Sequence, residues 1–147
     1  MTIDLLTPSD TSKFTTLIRL FEEVFEMQGF TFPGDDYLKK LLQQDNFLVF
    51  IAMHENEVVG GLTAHILPSY YSESSEGYIY DIVVKPAFQR QGIGKKLITA
   101  FTGHCRSKGY SAIFVQADEA DAHALDFYRS IGATPQNVVH FNFRIEK

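Results

Sequence analysis

The stretch Tyr78-Ile79-Tyr80-Asp81-Ile82-Val83-Val84 constrains this chain more than any other. All of it except one carboxylate is β-branched or aromatic, the make-up of a strand packed into a core. Lys85-Pro86 ends it, because proline has no N–H to give a ladder. Gln89-Arg90-Gln91-Gly92-Ile93-Gly94 follows, and Ile93, Leu97, Ile98, Phe101 and Cys105 then fall on one side of a helix that stops near Gly109. Strand, glycine-bearing turn and helix in this order, with Ala112–Val115 as a further strand, require an α/β arrangement with at least one strand–helix–strand crossover.

The rest of the chain supplies both layers. Asp10 or Thr11 can cap a first helix whose apolar positions Phe14, Leu17, Ile18, Phe21, Val24 and Phe25 recur every 3.6 residues, ending near Gly29. Asp35-Asp36 opens a short second helix carrying Leu38, Leu41 and Leu42. Phe47–Ala52 reads as a buried strand, Glu55-Asn56 as a turn and Val58–Ile66 as the hairpin partner, with Ser69–Glu76 a loop. Asp121–Ile131 reads as a helix closed by Gly132, and Val138–Ile145 as a final strand. At 147 residues, without low-complexity linker or repeat, residues 1–147 read as one domain.

Composition excludes several function classes. A net charge of −5 argues against nucleic acid, whose phosphates need clustered Lys and Arg. One cysteine leaves no internal disulfide, and the five histidines show neither i,i+4 pairing nor an HExxH pattern, so no metal is expected. The N-terminal MTIDLLTPSD resembles no signal peptide and no apolar run approaches a membrane span, which makes the cytoplasm the expected compartment.

At the strand–helix junction, Gly92 and Gly94 allow backbone N–H groups of a helix's first turn to approach a ligand, where the dipole favours an anion. Arg90, Lys95 and Lys96 add positive charge. Taken alone, the GxG pattern fits either a phosphate-binding turn or a plain turn with solvated basic residues.

The longer string Asp81–Leu97 resembles the GNAT superfamily of acetyl-CoA-dependent N-acetyltransferases, whose [QR]xxGx[GA] signature is filled by Gln89, Gly92 and Gly94. Ala124-Leu125-Asp126-Phe127-Tyr128-Arg129-Ser130-Ile131-Gly132-Ala133 resembles that family's A-x-x-[FL]-Y-x-x-x-G-[FA] helix. The resemblance implies an α+β fold, an α/β/α sandwich: a mixed central sheet with a V-shaped splay between Tyr78–Val84 and Ala112–Val115, and helices on both faces. It implies that the strand Ile82, Val83 and Val84 bonds the pantetheine arm. Gln89, Arg90, Gln91, Gly92, Ile93, Gly94 and Lys95 would hold the pyrophosphate, and Tyr128 would protonate the departing thiolate. Read without its motif, Tyr128 is a helix aromatic under the sheet. A narrower similarity, to aminoglycoside 3-N-acetyltransferases of the gentamicin type, rests on Glu76–Val84, on Phe114-Val115-Gln116-Ala117-Asp118 and on His140-Phe141. It implies a resistance-type activity. Similar proteins are often dimers, and Val138–Ile145 offers a pairing edge.

An ammonium acceptor has no lone pair, so a base must take its proton. Asp81, alone in an apolar strand, is the first candidate; burial would raise its pKa, unless a local hydrogen bond or salt bridge fixes it. Asp118, Glu119 and Asp121 are candidates to hold a polycationic amine, although Asp121 also fits a helix N-cap. Glu76 could line the acceptor side, as could Glu73, Tyr70 and Tyr71. His123 is an alternative base or a solvated helix residue, and Cys105 is expected in the core. The expected activity is acetyl transfer from acetyl-CoA to a primary amine of a small aminoglycoside-type molecule. The alternatives are a polyamine, amino-acid or protein-amine acetyltransferase, or a non-catalytic acyl-CoA-binding module.

Overall fold

The computed structural model describes residues 1–146, which fall into two compact units, Met1–Gln116 and the stretch from Ala117 onward. The first unit holds β1 (Thr2–Leu5), α1 (Thr11–Val24), α2 (Asp35–Leu42), β2 (Phe47–His54), β3 (Glu57–Pro68), β4 (Ser75–Val84), α3 (Ile93–Ser107) and β5 (Ala112–Val115). Its sheet runs in the order β1-β2-β3-β4-β5. The first four strands are antiparallel and β5 lies parallel to β4, so the sheet is mixed, with α3 as the crossover that a parallel pair requires. The second unit contains α4 (Ala122–Ser130).

Alternation along the strands divides the core. Phe47, Val49, Ile51 and Val83 pack with Leu17, Leu20 and Phe21 of α1 and Leu38 and Leu42 of α2. Phe50, Ala52, Leu62, Ala64 and Ile79 pack with Ile93, Leu97, Phe101 and Cys105 of α3. Helices therefore cover both faces. Gly77 sets how closely α3 lies on β4, since a Cβ there would sit 2.7 Å from Cζ of Phe101.

One irregularity organises the site. Thr63 pairs with Asp81 while its neighbour Ala64 pairs with Ile79, which makes Tyr80 the extra residue of a β-bulge. Ile79 is buried in the α3 core and Ile82 packs against it, so Tyr80 and Asp81, lying between them, both face the α1–α2 side.

One element was not anticipated and two expectations are corrected. A short edge strand, β1, forms at Thr2–Leu5 because β2 offers it a ladder, from Thr2–Met53 to Leu5–Phe50. Asp10 occupies the N-cap position of α1 but makes no side-chain cap bond; its carboxylate accepts instead from the N–H of Thr7 at 2.7 Å, which lowers its pKa. Among the described residues no strand follows β5. Val138–Ile145 keeps the strand-like alternation of apolar side chains, but Val139, Phe141, Phe143 and Ile145 are exposed and no ladder includes them. A strand exists through its neighbour's hydrogen bonds, so alternation alone does not make one, and the edge on which a homodimer was expected is not a strand.

Candidate active site

β4 presents an open backbone edge beside a tight turn. Lys85 N donates to Val59 O at 2.7 Å, which directs the peptide groups of Lys85 and, two residues earlier, Val83 into β3. Those of Ile82 and Val84 therefore point the other way. The β4–β5 ladder covers only Glu76–Ile79 against Ala112–Val115, where β5 ends, so Ile82 and Val84 lie beyond it on an edge that no described strand pairs. Val83 differs from its neighbours: it is 4% exposed and belongs to the core and the β3 ladder. Nε2 of Gln89 donates to Val84 O at 3.1 Å, tying the turn to the strand.

A 3-10 turn over Pro86–Phe88 leads into the loop. Arg90 has φ 62°, a left-handed conformation that costs a non-glycine residue strain, and Gly92 has φ 80° as the N-cap of α3. The first bond into the helix runs from Lys96 N to Gly92 O at 3.0 Å, so the N–H groups of Ile93, Gly94 and Lys95 have no acceptor within it. Gln91, Arg90, Lys95 and Lys96 are exposed around the same turn. The arrangement suits a diphosphate: free N–H groups, a positive helix end and three cations. Lys85 pairs with Glu57 at the base of the loop, which raises the lysine's pKa.

Asp81 lies one residue before the open edge. It is partly buried, no hydrogen bond or ion pair reaches its carboxylate among the described residues, and burial raises its pKa. Among the described residues, then, no local partner fixes this carboxylate. Thr63 opposite it is buried. Since Gly77 and Ile79 face α3, Glu76 and Tyr78 share the face of Tyr80 and Asp81, and Glu76 is exposed. The hydroxyl of Tyr78 donates to Oε1 of Gln116 at 2.8 Å, and its ring stacks on Phe114 at 4.7 Å.

In the second unit, Asp121 caps α4 through Oδ1, which accepts from Ala124 N at 3.1 Å. Oδ1 of Asp118 accepts from Ala120 N at 3.2 Å, while Glu119 and His123 are exposed. Tyr128 lies mid-helix, partly buried, its ring 5.2 Å from that of Phe127. Thus Glu76, Asp81, Ile82, Val84 and the Gln89–Lys95 turn belong to the first unit, and Asp118, Glu119, Asp121 and Tyr128 to the second. Sequence reasoning missed the aromatic side chains that accompany Asp81, because the bulge decides which residues share its face. Cys105 is buried, as expected, and burial raises its thiol pKa. Among the described residues no three His, Cys, Asp or Glu side chains converge as metal ligands, and no helix is long and apolar enough to cross a membrane.

The profile of the Acetyltransferase (GNAT) family matches residues 14–133. An aminoglycoside acetyltransferase from an uncultured soil metagenomic sample, solved in complexes with trehalose and with sisomicin, is 51% identical with a TM-score of 0.96, over 99% of this chain and 96% of that one. A second aminoglycoside acetyltransferase from an uncultured soil metagenomic sample is 34% identical with a TM-score of 0.92, over 99% of this chain and 100% of that one. Among curated proteins, ribosomal protein bS18-alanine N-acetyltransferase of Haemophilus ducreyi is 33% identical over 57 residues, 39% of either chain. The chain spans well under half the length of the curated relatives it matches first, 39% and 18%.

Proposed function

This chain belongs to the GNAT family of acetyltransferases, and we propose that it carries acetyl from acetyl-CoA to a primary amine of a polycationic amino sugar of the aminoglycoside type. The observation that carries the reading is Asp81: a partly buried carboxylate with no partner among the described residues, one residue before a strand edge that no described strand pairs and eight residues before the turn that opens α3. The 51% identical neighbour named as an aminoglycoside acetyltransferase supports the acceptor class. The resemblance of Tyr78–Asp81 to 3-N-acetyltransferases supports the 3-amino group as the position modified. The family match runs through Gln116, which supports residues 1–147 as one N-acetyltransferase domain.

Acetyl-CoA supplies the acetyl group as an activated thioester. The residues present fit it: the N–H groups opening α3, with Arg90, Lys95 and Lys96, would hold the diphosphate, and the outward N–H and C=O of Ile82 with the N–H of Val84, whose carbonyl already accepts from Gln89, would bond the pantetheine amides as a neighbouring strand would. Asp81 accepts a proton from the acceptor's ammonium, directly or through one water, and so frees the lone pair that attacks. Its raised pKa makes it a stronger base than an ordinary carboxylate. Tyr128 donates its phenolic proton to the departing sulfur and regains one from solvent. Asp118 and Glu119 add negative charge for a polycation.

The test is free-thiol release from acetyl-CoA over a panel of sisomicin, spermidine, free lysine and a peptide with an unblocked N-terminus. Turnover of sisomicin with acetylation of a ring amine by NMR is the expected result. Preference for spermidine or the peptide would move the protein to the alternative acceptor class. Tight CoA binding without turnover of any amine would make it a binding module.

A further inference from the structure

The face of β4 that carries Asp81 also carries a row of rings. Phe47 and His65 lie 5.1 Å apart, His65 and Tyr80 5.6 Å, Tyr80 and Tyr78 6.0 Å, and Tyr78 and Phe114 4.7 Å between centroids. The row crosses β2, β3, β4 and β5, and at Phe47 it joins the core formed with α1. Tyr80 differs from its neighbours in being 59% exposed. An aromatic side chain that open is ordinarily free to move, but this one is braced edge-to-face on two sides, by His65 at 76° and by Tyr78 at 73°. The bulge turns it to the same side as Asp81, its immediate neighbour. Glu76 bears a second carboxylate on that face, five residues away and therefore roughly 15 Å along the strand.

We propose that Tyr80 is an acceptor-binding residue, a platform on which a saturated ring packs while its amine reaches Asp81. This rests on the amino-sugar reading above. A cyclohexane or pyranose ring carrying ammonium groups has an electropositive C–H face, which complements the negative face of an aromatic ring. Its outlying ammonium groups have Glu76 at the far end of the same strip. The interaction needs the tyrosine's ring and not its hydroxyl.

Steady-state kinetics with sisomicin and acetyl-CoA test it, using Tyr80→Phe and Tyr80→Leu. The exposure of Tyr80 lets both variants fold, and circular dichroism checks that they do. Tyr80→Leu should raise the sisomicin KM about tenfold, leaving kcat and the acetyl-CoA KM within twofold of the parent, while Tyr80→Phe keeps all three. An equal loss in Tyr80→Phe would assign the effect to the hydroxyl and overturn the platform. A fall in kcat or a displaced pH profile without a KM change would mean that Tyr80 only positions Asp81, which also overturns it, as would no change in either variant. If the parent enzyme does not turn over sisomicin, the amino-sugar reading itself fails and this inference with it.

Discussion

Gly92→Ala tests the cofactor turn with a magnitude set by the backbone. Gly92 has φ 80° and ψ 11°, and a Cβ built there meets nothing within 4 Å. Alanine therefore gains no packing and suffers no clash. Its whole cost is that of a left-handed non-glycine residue, about 1–2 kcal/mol. The protein can meet that cost in two ways. If the turn holds its shape, the loss appears in global stability, as a fall in Tm of about 3–6 °C at this chain length. If the turn relaxes, the N–H groups of Ile93 and Gly94 swing off the diphosphate, and the acetyl-CoA dissociation constant rises about five- to thirtyfold. Differential scanning calorimetry and isothermal titration with CoA read the two parts, which should together account for the strain. Asn tolerates this conformation better than Ala does, so Gly92→Asn should lie between the parent and Gly92→Ala. A Tm within 1 °C of the parent combined with unchanged CoA affinity would refute the reasoning, since the left-handed turn would then be neither required nor functional.

Two further outcomes concern the transfer itself. Asp81 has a folded pKa raised above its ordinary 3.8 by burial, so the unfolded chain ionises it first as pH rises. The folded state's disadvantage grows through the window between the two values and then stays constant. Asp81→Asn should thus be more stable than the parent at pH 7, the gap closing as pH falls below 3.8, and should lose the ascending limb of the kcat/KM profile, which in the parent lies above the usual carboxylate range. Melting curves at pH 4 and 7 check the first; a less stable variant at pH 7 would mean that the carboxylate is paired. Tyr128→Phe should lower kcat about a hundredfold, within the usual span for a proton donor, with the acetyl-CoA KM within twofold; an unchanged kcat would remove Tyr128 from the chemistry.

The half of the site proposed for the cofactor was readable as a turn because its determinants are local. Gln89, Gly92 and Gly94 act through the dihedral angles and free N–H groups of one turn, so their spacing in sequence is their arrangement in space. The two core faces were likewise written in the alternation of Phe47–Ala52 and the helical period of Ile93–Cys105. The half proposed for the acceptor depends on the register between strands. Simple alternation would put Tyr80 and Asp81 on opposite faces, but the unopposed residue between the Thr63–Asp81 and Ala64–Ile79 pairs brings them to the same one. That bulge depends on how β3 and β4 match across the sheet, and so does the row of His65, Tyr78 and Phe114, drawn from three strands. Val138–Ile145 teaches the converse, for its apolar alternation specifies a strand that no ladder completes among the described residues. Residue order alone was enough to specify the left-handed turn that opens α3 and the single carboxylate in the apolar strand before it. Tertiary structure alone decided which rings stand next to that carboxylate and which peptide groups of β4 stay open, because pairing between distant strands sets both.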